Sequence, residues 1–514
     1  MNHLLAMPLV IPAITGALLL ACAGNRPQAA RWISAASTAV TAAVAVLLVM
    51  QAMAGDYQVY AVGEWQAPFG IVLVLDRLSA MLILLTAVVA LAALAYAIAG
   101  WDLRGRHFHA LFQFQLMGIN GAFLTGDLFN LFVFFEVLLI ASYCLLLHGL
   151  GQPRLRAAVH YVAINLTGSG VFLIAVSLLY GVTGTLNMAH LAERVALAPE
   201  ADIALIRAAG MMLLGVFAVK AALFPLYFWL PQAYSSACAP VAALFAIMTK
   251  VGVYSILRVT SLVFGGASGA GADLTTPWLL PVALLTLGLA ALGVLGARRL
   301  GELVAYMTIA SVGTMLTAIT AGGVAGVSGA LFYLVHSTLV IASLFLLTEL
   351  LTRQRGSSGD ALVTGPALQQ PVLLGIAFLI ATITVAGAPP SSGFLAKLMI
   401  LQATLPGPAA VWVWSIILCS SLLVLVGGVR AGSQLLWHTE TTPDHNARAA
   451  RPAEWLPLGA LLVCGVALVL FAQPLQKYTD ATAQQLLARA GYIEAVIGGT
   501  PDTQPRPLRP GEPL

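Results

Sequence analysis

Charge is what this sequence lacks. Only 9% of its 514 residues are Asp, Glu, Lys or Arg, against 60% hydrophobic. A water-soluble domain needs about a quarter of its residues charged to cover its surface. Without that coat, the solvent around most of the chain must be lipid. A spanning helix takes ~20 apolar residues, so the length leaves room for well over ten. Cysteine pairs are missing too: Cys22, Cys144, Cys238, Cys419 and Cys464 lie far apart in apolar runs with no CxxC. That excludes a disulfide framework and gives no metal-ligand spacing. There is no CxxCH and no GxGxxG after a strand, so no cofactor and no metal are expected. The net charge is only +4 and no basic stripe interleaved with aromatics occurs, which argues against nucleic acid as a partner. The opening MNHLLAMPLVIPAITGALLLACAG has a long apolar run but no basic n-region. It reads as a first spanning helix rather than a signal peptide.

What is present is a series of apolar runs bounded by Gly, Pro or charge. Fourteen candidate spans lie at 4–23, 33–53, 71–100, 108–125, 128–148, 157–180, 204–230, 240–264, 277–297, 302–322, 328–351, 371–402, 409–437 and 456–473. The expected fold is an all-α polytopic membrane protein. The polar segment after Pro474, ending in PDTQPRPLRPGEPL, is expected to be disordered.

Basic residues orient such a bundle. Thirteen arginines follow odd-numbered spans: Arg26, Arg31, Arg104, Arg106, Arg154, Arg156, Arg298, Arg299, Arg353, Arg355, Arg430, Arg448 and Arg451. The other side has only Arg194 and Arg207 before the C-terminal segment. This bias puts the arginine-rich loops in the cytoplasm and both termini outside, in a bacterial inner (plasma) membrane.

The basic residues inside spans are then diagnostic. Arg77 and Arg258 lie near span ends, where a long side chain can snorkel. Lys220, Lys250 and Lys397, three of the four lysines in the chain, lie deep. Glu136, in DLFNLFVFFEVLLIASY, lies near the middle of span five among Phe, Val and Leu. A charge at bilayer centre costs about 3 kcal/mol on insertion scales, so it persists only if paired or beside a hydrated path. One Glu–Lys pair could be structural glue, but three lysines to one deep carboxylate exceed what glue requires. A buried ammonium can release its proton near neutral pH, whereas a guanidinium stays charged. These residues therefore suit proton transfer, with Glu136 and Lys220 as a switchable pair.

Two lysine-bearing spans are interrupted. Lys220 is followed by Pro225 and Pro231, and Lys397 is preceded by Gly387, Pro389, Pro390 and Gly393. Proline removes a backbone donor and clashes with the preceding turn. Irregular backbone at membrane depth is tolerated where it lines a cavity, and matched breaks in two halves point to an ion path. Pro225, Gly387, Pro389, Pro390 and Gly393 are therefore expected to line that path. His336, in span eleven, reads either as a packing histidine or as a relay between Lys250 and Lys397. Asp127 reads as a helix N-cap rather than an ion ligand. Tyr254, Ser311 and Thr314 are further polar groups able to hold water.

Four segments carry a family likeness: GDLFNLFVFFEVLLIASY, NLTGSGVFLIAVSLLYGVTGTLNMA, FAVKAALFPLYFWLPQAYSSACAPVAALFAIMTKVGVYSILR and GAPPSSGFLAKLMI. They resemble the antiporter-like subunits shared by Mrp-type cation/proton antiporters and respiratory complex I, most nearly the D-type subunits of the Mrp/Pha branch. The resemblance implies fourteen helices with two inverted five-helix repeats. Its expected organisation is three helices in 1–107, repeats in 108–264 and 277–437, and a last helix and polar tail in 438–514. It also implies functional charges at Glu136, Lys220, Lys250 and Lys397. Partners would be A-, B-, C-, E-, F- and G-type subunits, with H⁺ and Na⁺ or K⁺ as the ions moved. Many relatives carry a lysine five residues after the span-eleven histidine; here that residue is Ile341. The expected function is a proton-translocating subunit of a secondary antiporter, not an enzyme. A redox-driven pump subunit and a structural scaffold subunit remain alternatives.

Overall fold

The computed structural model describes residues 3–22, 26–65, 70–266, 269, 272, 274–440 and 448–498. All fourteen apolar runs contain helix. Among the described residues, twelve helical segments are long and apolar enough to cross a membrane.

The chain opens with α1 (Met7–Cys22) and α2 (Pro27–Ala52). Pro12 inside α1 cannot donate to the Pro8 carbonyl. Asn120 of α4 (Phe108–Leu124) fills that gap at 3.1 Å. Span three begins differently from its expected start at 71. An antiparallel hairpin pairs β1 (Gln58–Ala61) with β2 (Val72–Leu75), and α3 (Arg77–Ile98) starts only at Arg77. The reason is a capping box: Asp76 accepts the Ser79 amide at 2.8 Å, while the Asp76 amide donates to the Ser79 hydroxyl at 3.0 Å. Val72–Leu75 is an apolar run that periodicity alone cannot tell from helix.

Next come α4, α5 (Leu128–Leu146), α6 (Gln152–Thr183), the short amphipathic α7 (Met188–Ala196), α8 (Glu200–Ala221), α9 (Trp229–Ser236) and α10 (Ala239–Leu262). Asp127 is the N-cap of α5, accepting the Asn130 amide at 2.8 Å. The second half runs α11 (Thr276–Gly296), α12 (Leu300–Ala321), α13 (Gly323–Gln354), α14 (Pro371–Ala386), α15 (Ser392–Thr404) and α16 (Ala410–Gly432). Small residues let these helices approach closely. A Cβ on Gly118 of α4 would lie 2.6 Å from the Leu138 nitrogen of α5, and one on Gly313 of α12 would lie 2.7 Å from the Leu287 nitrogen of α11. Every residue of α10 from Ala239 to Val259 is buried, so this helix is enclosed by protein rather than lipid.

The two interrupted spans break where the prolines stand. α8 ends in the left-handed Ala222 and α14 ends in Gly387 at φ 80°; each gap contains a cis proline peptide, Phe224–Pro225 and Pro389–Pro390.

After α17 (Pro452–Leu470), the expected disorder beyond Pro474 gives way to two further helices, α18 (Ala472–Leu487) and α19 (Arg489–Ile497). Thr479, Thr482, Ala483 and Leu486 recur at helical spacing and are buried. The Tyr478 hydroxyl donates to the Arg77 carbonyl at 2.8 Å, and Gln485 donates to the Gly55 carbonyl at 2.8 Å. The Pro-rich stretch 501–514 lies outside the described residues.

Neither end-of-span arginine snorkels freely. Arg77 donates to the Ala52 and Met53 carbonyls at 3.3 and 3.0 Å, closing the C-terminus of α2. Arg258 is buried against Asp76 at 2.5 Å and sits over the rings of Tyr254 and Tyr492. Several arginine-rich ends are likewise pinned: Arg31 to Asp102 at 2.6 Å, Arg299 to Asp360 at 2.8 Å and Arg353 to Glu454 at 2.5 Å. Arg355, fully buried, donates to the Gly359, Ala361 and Val363 carbonyls and shapes the following loop.

Candidate functional site

Helix α5 carries Glu136 and α8 carries Lys220 just before its break. Among the described residues no ion pair joins them directly. Ser169 of α6 stands between: its hydroxyl donates to Glu136 Oε1, and Lys220 Nζ donates to Ser169 Oγ at 3.4 Å. Asn165, one turn earlier, takes the same ammonium through its carbonyl at 3.3 Å and Oδ1 at 3.4 Å. The Phe135 ring faces Lys220 Nζ at 5.7 Å. Sequence reasoning misses Ser169 and Asn165. Their signal is two polar residues four apart in an apolar helix, which places them on one face.

Lys250 lies in the enclosed helix α10. That helix packs tightly on the break: a Cβ on Gly252 would lie 2.5 Å from the Ala221 nitrogen. Lys250 is wholly buried, and its ammonium donates to Ser311 Oγ of α12 at 2.8 Å. Ser311 passes its own hydrogen to the Thr308 carbonyl at 2.6 Å.

Lys397 of α15 folds back on the other break. Its ammonium donates to the Ala386 and Val385 carbonyls at 2.8 and 3.4 Å and to Ser421 Oγ of α16 at 2.8 Å. The last carbonyls of α14 lack helical partners and form the negative end of its dipole, so a cation suits them. Gly387 is required twice over: its positive φ favours glycine, and a Cβ there would lie 2.8 Å from Lys397 Cδ. Gly393 lies against the next group, since its Cβ would come within 2.9 Å of His336 Nε2. Pro225, Pro389 and Pro390 are exposed, and Pro390 shares with Ser392 the lining of a further cavity of about 370 Å³. The prolines create the breaks, while the glycines border the charges.

His336 is buried, accepts or donates through Nδ1 to Ser392 Oγ at 2.9 Å, and leaves Nε2 without a partner. Ile341 is buried and apolar. Tyr254 donates to the Phe123 carbonyl at 3.0 Å, and Thr314 donates to the Ala310 carbonyl of its own helix at 2.9 Å.

One small cavity borders Lys397, and a larger one opens at the helix ends without touching any of these groups. The smaller, of about 10 Å³, is bordered by Thr314, Tyr333, Lys397, Ser420 and Ser421. The larger, of about 290 Å³, opens among the arginine-bearing helix ends between the two halves, beside Arg154, Ser236, Arg299, Glu349 and Asp360. Sequence reasoning misses Glu349 as well, because it sits at a span end where a carboxylate is ordinary. Among the described residues no three His, Cys, Asp or Glu side chains gather as a metal site.

The arrangement is therefore one carboxylate and three ammonium groups, mostly on neutral oxygens, spread across both halves. The family described as "NADH:quinone oxidoreductase/Mrp antiporter, TM" matches residues 125–424, which hold all of these groups. The chain is 41% identical to the D-type subunit of a probable K(+)/H(+) antiporter of Rhizobium meliloti, over 97% of this chain and 98% of that one. It is 36% identical to the D-type subunit of a Na(+)/H(+) antiporter of Bacillus subtilis, over 97% and 100%. A chain in the structure of the Mrp complex from Dietzia sp. superposes with a TM-score of 0.87 at 28% identity, over 97% of this chain and all of that one.

Proposed function

Because the chain belongs to the NADH:quinone oxidoreductase/Mrp antiporter transmembrane family, we propose that it is the proton-conducting D-type subunit of a multi-subunit monovalent cation/proton antiporter. The exchange takes up external H⁺ against cytoplasmic Na⁺ or K⁺. The observation that carries this reading is the single serine hydroxyl touching both Glu136 and Lys220. A bridge of that kind lets a small helix movement make or break the carboxylate–ammonium interaction and so alter the hold on a proton. Lys250, His336 and waters form the central relay, and Lys397 is the terminal loading site.

Fourteen spans follow if Phe108–Leu124 and the broken Pro371–Thr404 pair are added to the twelve longer ones. Two inverted repeats, α4–α10 and α11–α16, fit the close glycine contacts at Gly118 and Gly313 and the paired breaks. The arginine-rich ends are cytoplasmic, both termini are external, and the 290 Å³ cavity beside Glu349 is the cytoplasmic mouth. Further subunits of A, B, C, E, F and G type complete the complex. One elementary charge crossing 100 mV gains about 2.3 kcal/mol, similar to a pKa change of about two units, so a membrane potential can drive such sites.

Lys220→Ala and Glu136→Gln in the intact complex test the reading: exchange should fall sharply while assembly is kept. Normal exchange with normal assembly would make this chain a scaffold. The redox-pump alternative predicts no exchange in vesicles lacking NADH and quinone, whereas the antiporter reading predicts that exchange persists.

A further inference from the structure

We propose that the cavity at the start of α4 binds the phosphate group of an anionic phospholipid, held by the first turn of that helix, His109 and Arg106. The site depends only on the chain's lying in a bilayer and is independent of the proton route.

The cavity measures about 220 Å³ and lies among the arginine-rich helix ends. Leu19 of α1, Pro27 and Ala30 of α2, and most of the stretch 102–110 leading into α4 border it. That is below the roughly 300–1,000 Å³ of pockets that take a drug-sized molecule, and suits a headgroup. Part of its wall is the N-terminus of a 17-residue helix, whose N-cap His107 has φ 62° and makes no side-chain cap. The first helical bond runs from the Leu111 amide to the His107 carbonyl at 3.0 Å. Among the described residues, the amides of Phe108, His109 and Ala110 have no acceptor. Such donors, at the positive end of the helix dipole, suit a phosphate.

A side chain independently points to a ligand. His109 borders the cavity and is only 6% exposed. Its Nε2 meets Asp102 Oδ2 at 3.2 Å, while its Nδ1 is buried without a partner. A buried polar atom is costly unless something bonds it, and a protonated His109 would donate Nδ1–H to an anion. Asp102 borders the cavity too, but Arg31 takes both its oxygens, Oδ2 at 2.6 Å and Oδ1 at 2.8 Å. Its charge is therefore already matched. Arg106 borders the same space, is exposed, and joins no ion pair among the described residues.

The apolar lining favours a lipid over free phosphate. Leu19, Pro27 and Ala30 offer an inorganic ion nothing. Beside them Leu18, Leu20, Trp32 and Ile33 are exposed on α1 and α2, a surface for acyl chains, and tryptophan favours headgroup level. Basic pockets between spanning helices hold anionic headgroups in this way.

The test is photo-labelling of the intact complex in phosphatidylcholine vesicles carrying a trace of diazirine-bearing phosphatidylglycerol, mapped by mass spectrometry. Peptides covering 18–33 and 102–110 should be labelled, and unlabelled phosphatidylglycerol should compete the label away. Arg106→Gln and His109→Gln should each lower labelling there by about 10-fold, the low end for a hydrogen bond to a charged partner, with label elsewhere on the complex as reference. Unchanged labelling of these peptides in Arg106→Gln overturns the proposal. Should His109→Gln fail to assemble, the exposed Arg106 decides alone. Displacement of the label by millimolar inorganic phosphate makes this a site for the free anion and overturns the lipid assignment.

Discussion

Replacing Ser169 with alanine takes out one oxygen and leaves every charge in place. That oxygen donates to Glu136 and accepts from Lys220. A hydrogen bond to a charged partner is worth about 1.5–3 kcal/mol, equivalent to about 10- to 150-fold in an equilibrium. The direct attraction between carboxylate and ammonium survives: two charges ~4 Å apart at an effective dielectric near 20 attract by about 4 kcal/mol, and this pair, which lies beyond ion-pair distance, keeps somewhat less than that without the serine. Ser169→Ala should therefore slow exchange by about one to two orders of magnitude, less than Glu136→Gln, which removes the charge as well. Ser169→Thr keeps the hydroxyl and should restore most of the rate. The assay is dye-monitored ΔpH collapse on adding Na⁺ or K⁺ to everted vesicles, with the assembled complex quantified in parallel. An assembled Ser169→Ala complex exchanging at the wild-type rate would refute the bridging role. So would a threonine variant as slow as the alanine one.

Gly387→Ala should lower the thermal stability of the detergent-solubilised complex by about 1–3 kcal/mol, since it puts a side chain at a positive φ and crowds the Lys397 stem; an unchanged melting curve would contradict this. At the arginine-rich face, burial raises the Asp102 carboxyl, but hydrogen bonds from His109 and Arg31 outweigh it and hold the group below the ordinary carboxylate range. The sign follows from the depressed folded value: the stabilisation is complete above the unfolded value of about 3.9 and disappears as pH falls through the lower folded one. Asp102→Asn should thus destabilise the complex at neutral pH by about 2 kcal/mol, with the difference from wild type vanishing under strong acid, as read by thermal melts across pH.

The charged residues are legible because lipid makes them rare: a lysine in an apolar run stands out without any structure. Of the serines that hold them, Ser311 is legible as a polar group able to hold water, while Ser169 and Ser421 are harder to read. Hydroxyl residues in apolar helices commonly bond back to the carbonyl four residues earlier, as Thr38, Thr86 and Thr314 do here. Beyond the four-residue spacing of Asn165 and Ser169, the sequence does not tell which hydroxyls also meet another helix: Ser169 donates to Glu136 of α5, whereas Ser311 bonds back to Thr308 and accepts from Lys250 of α10. Arg258 is misleading for a related reason. Its position near a span end suggests an exposed guanidinium, whereas its partner Asp76 lies in a different part of the chain and pairing at that range leaves no local pattern. The prolines locate both breaks, but only the packing shows that Gly387 and Gly393 lie against Lys397 and His336. The last two helices are hidden by polarity: composition alone reads polar sequence as unfolded, although Thr479, Thr482, Ala483 and Leu486 keep the spacing of a buried stripe.

Those last two helices have a bearing on biosynthesis. Tyr478 and Gln485 grip backbone near residues 55 and 77, more than 400 positions earlier in the chain. The early hairpin and the start of α3 must therefore stay unfastened on this side until translation has nearly finished. A ribosome stalled just past α17 would leave every preceding helix made but this seam still open.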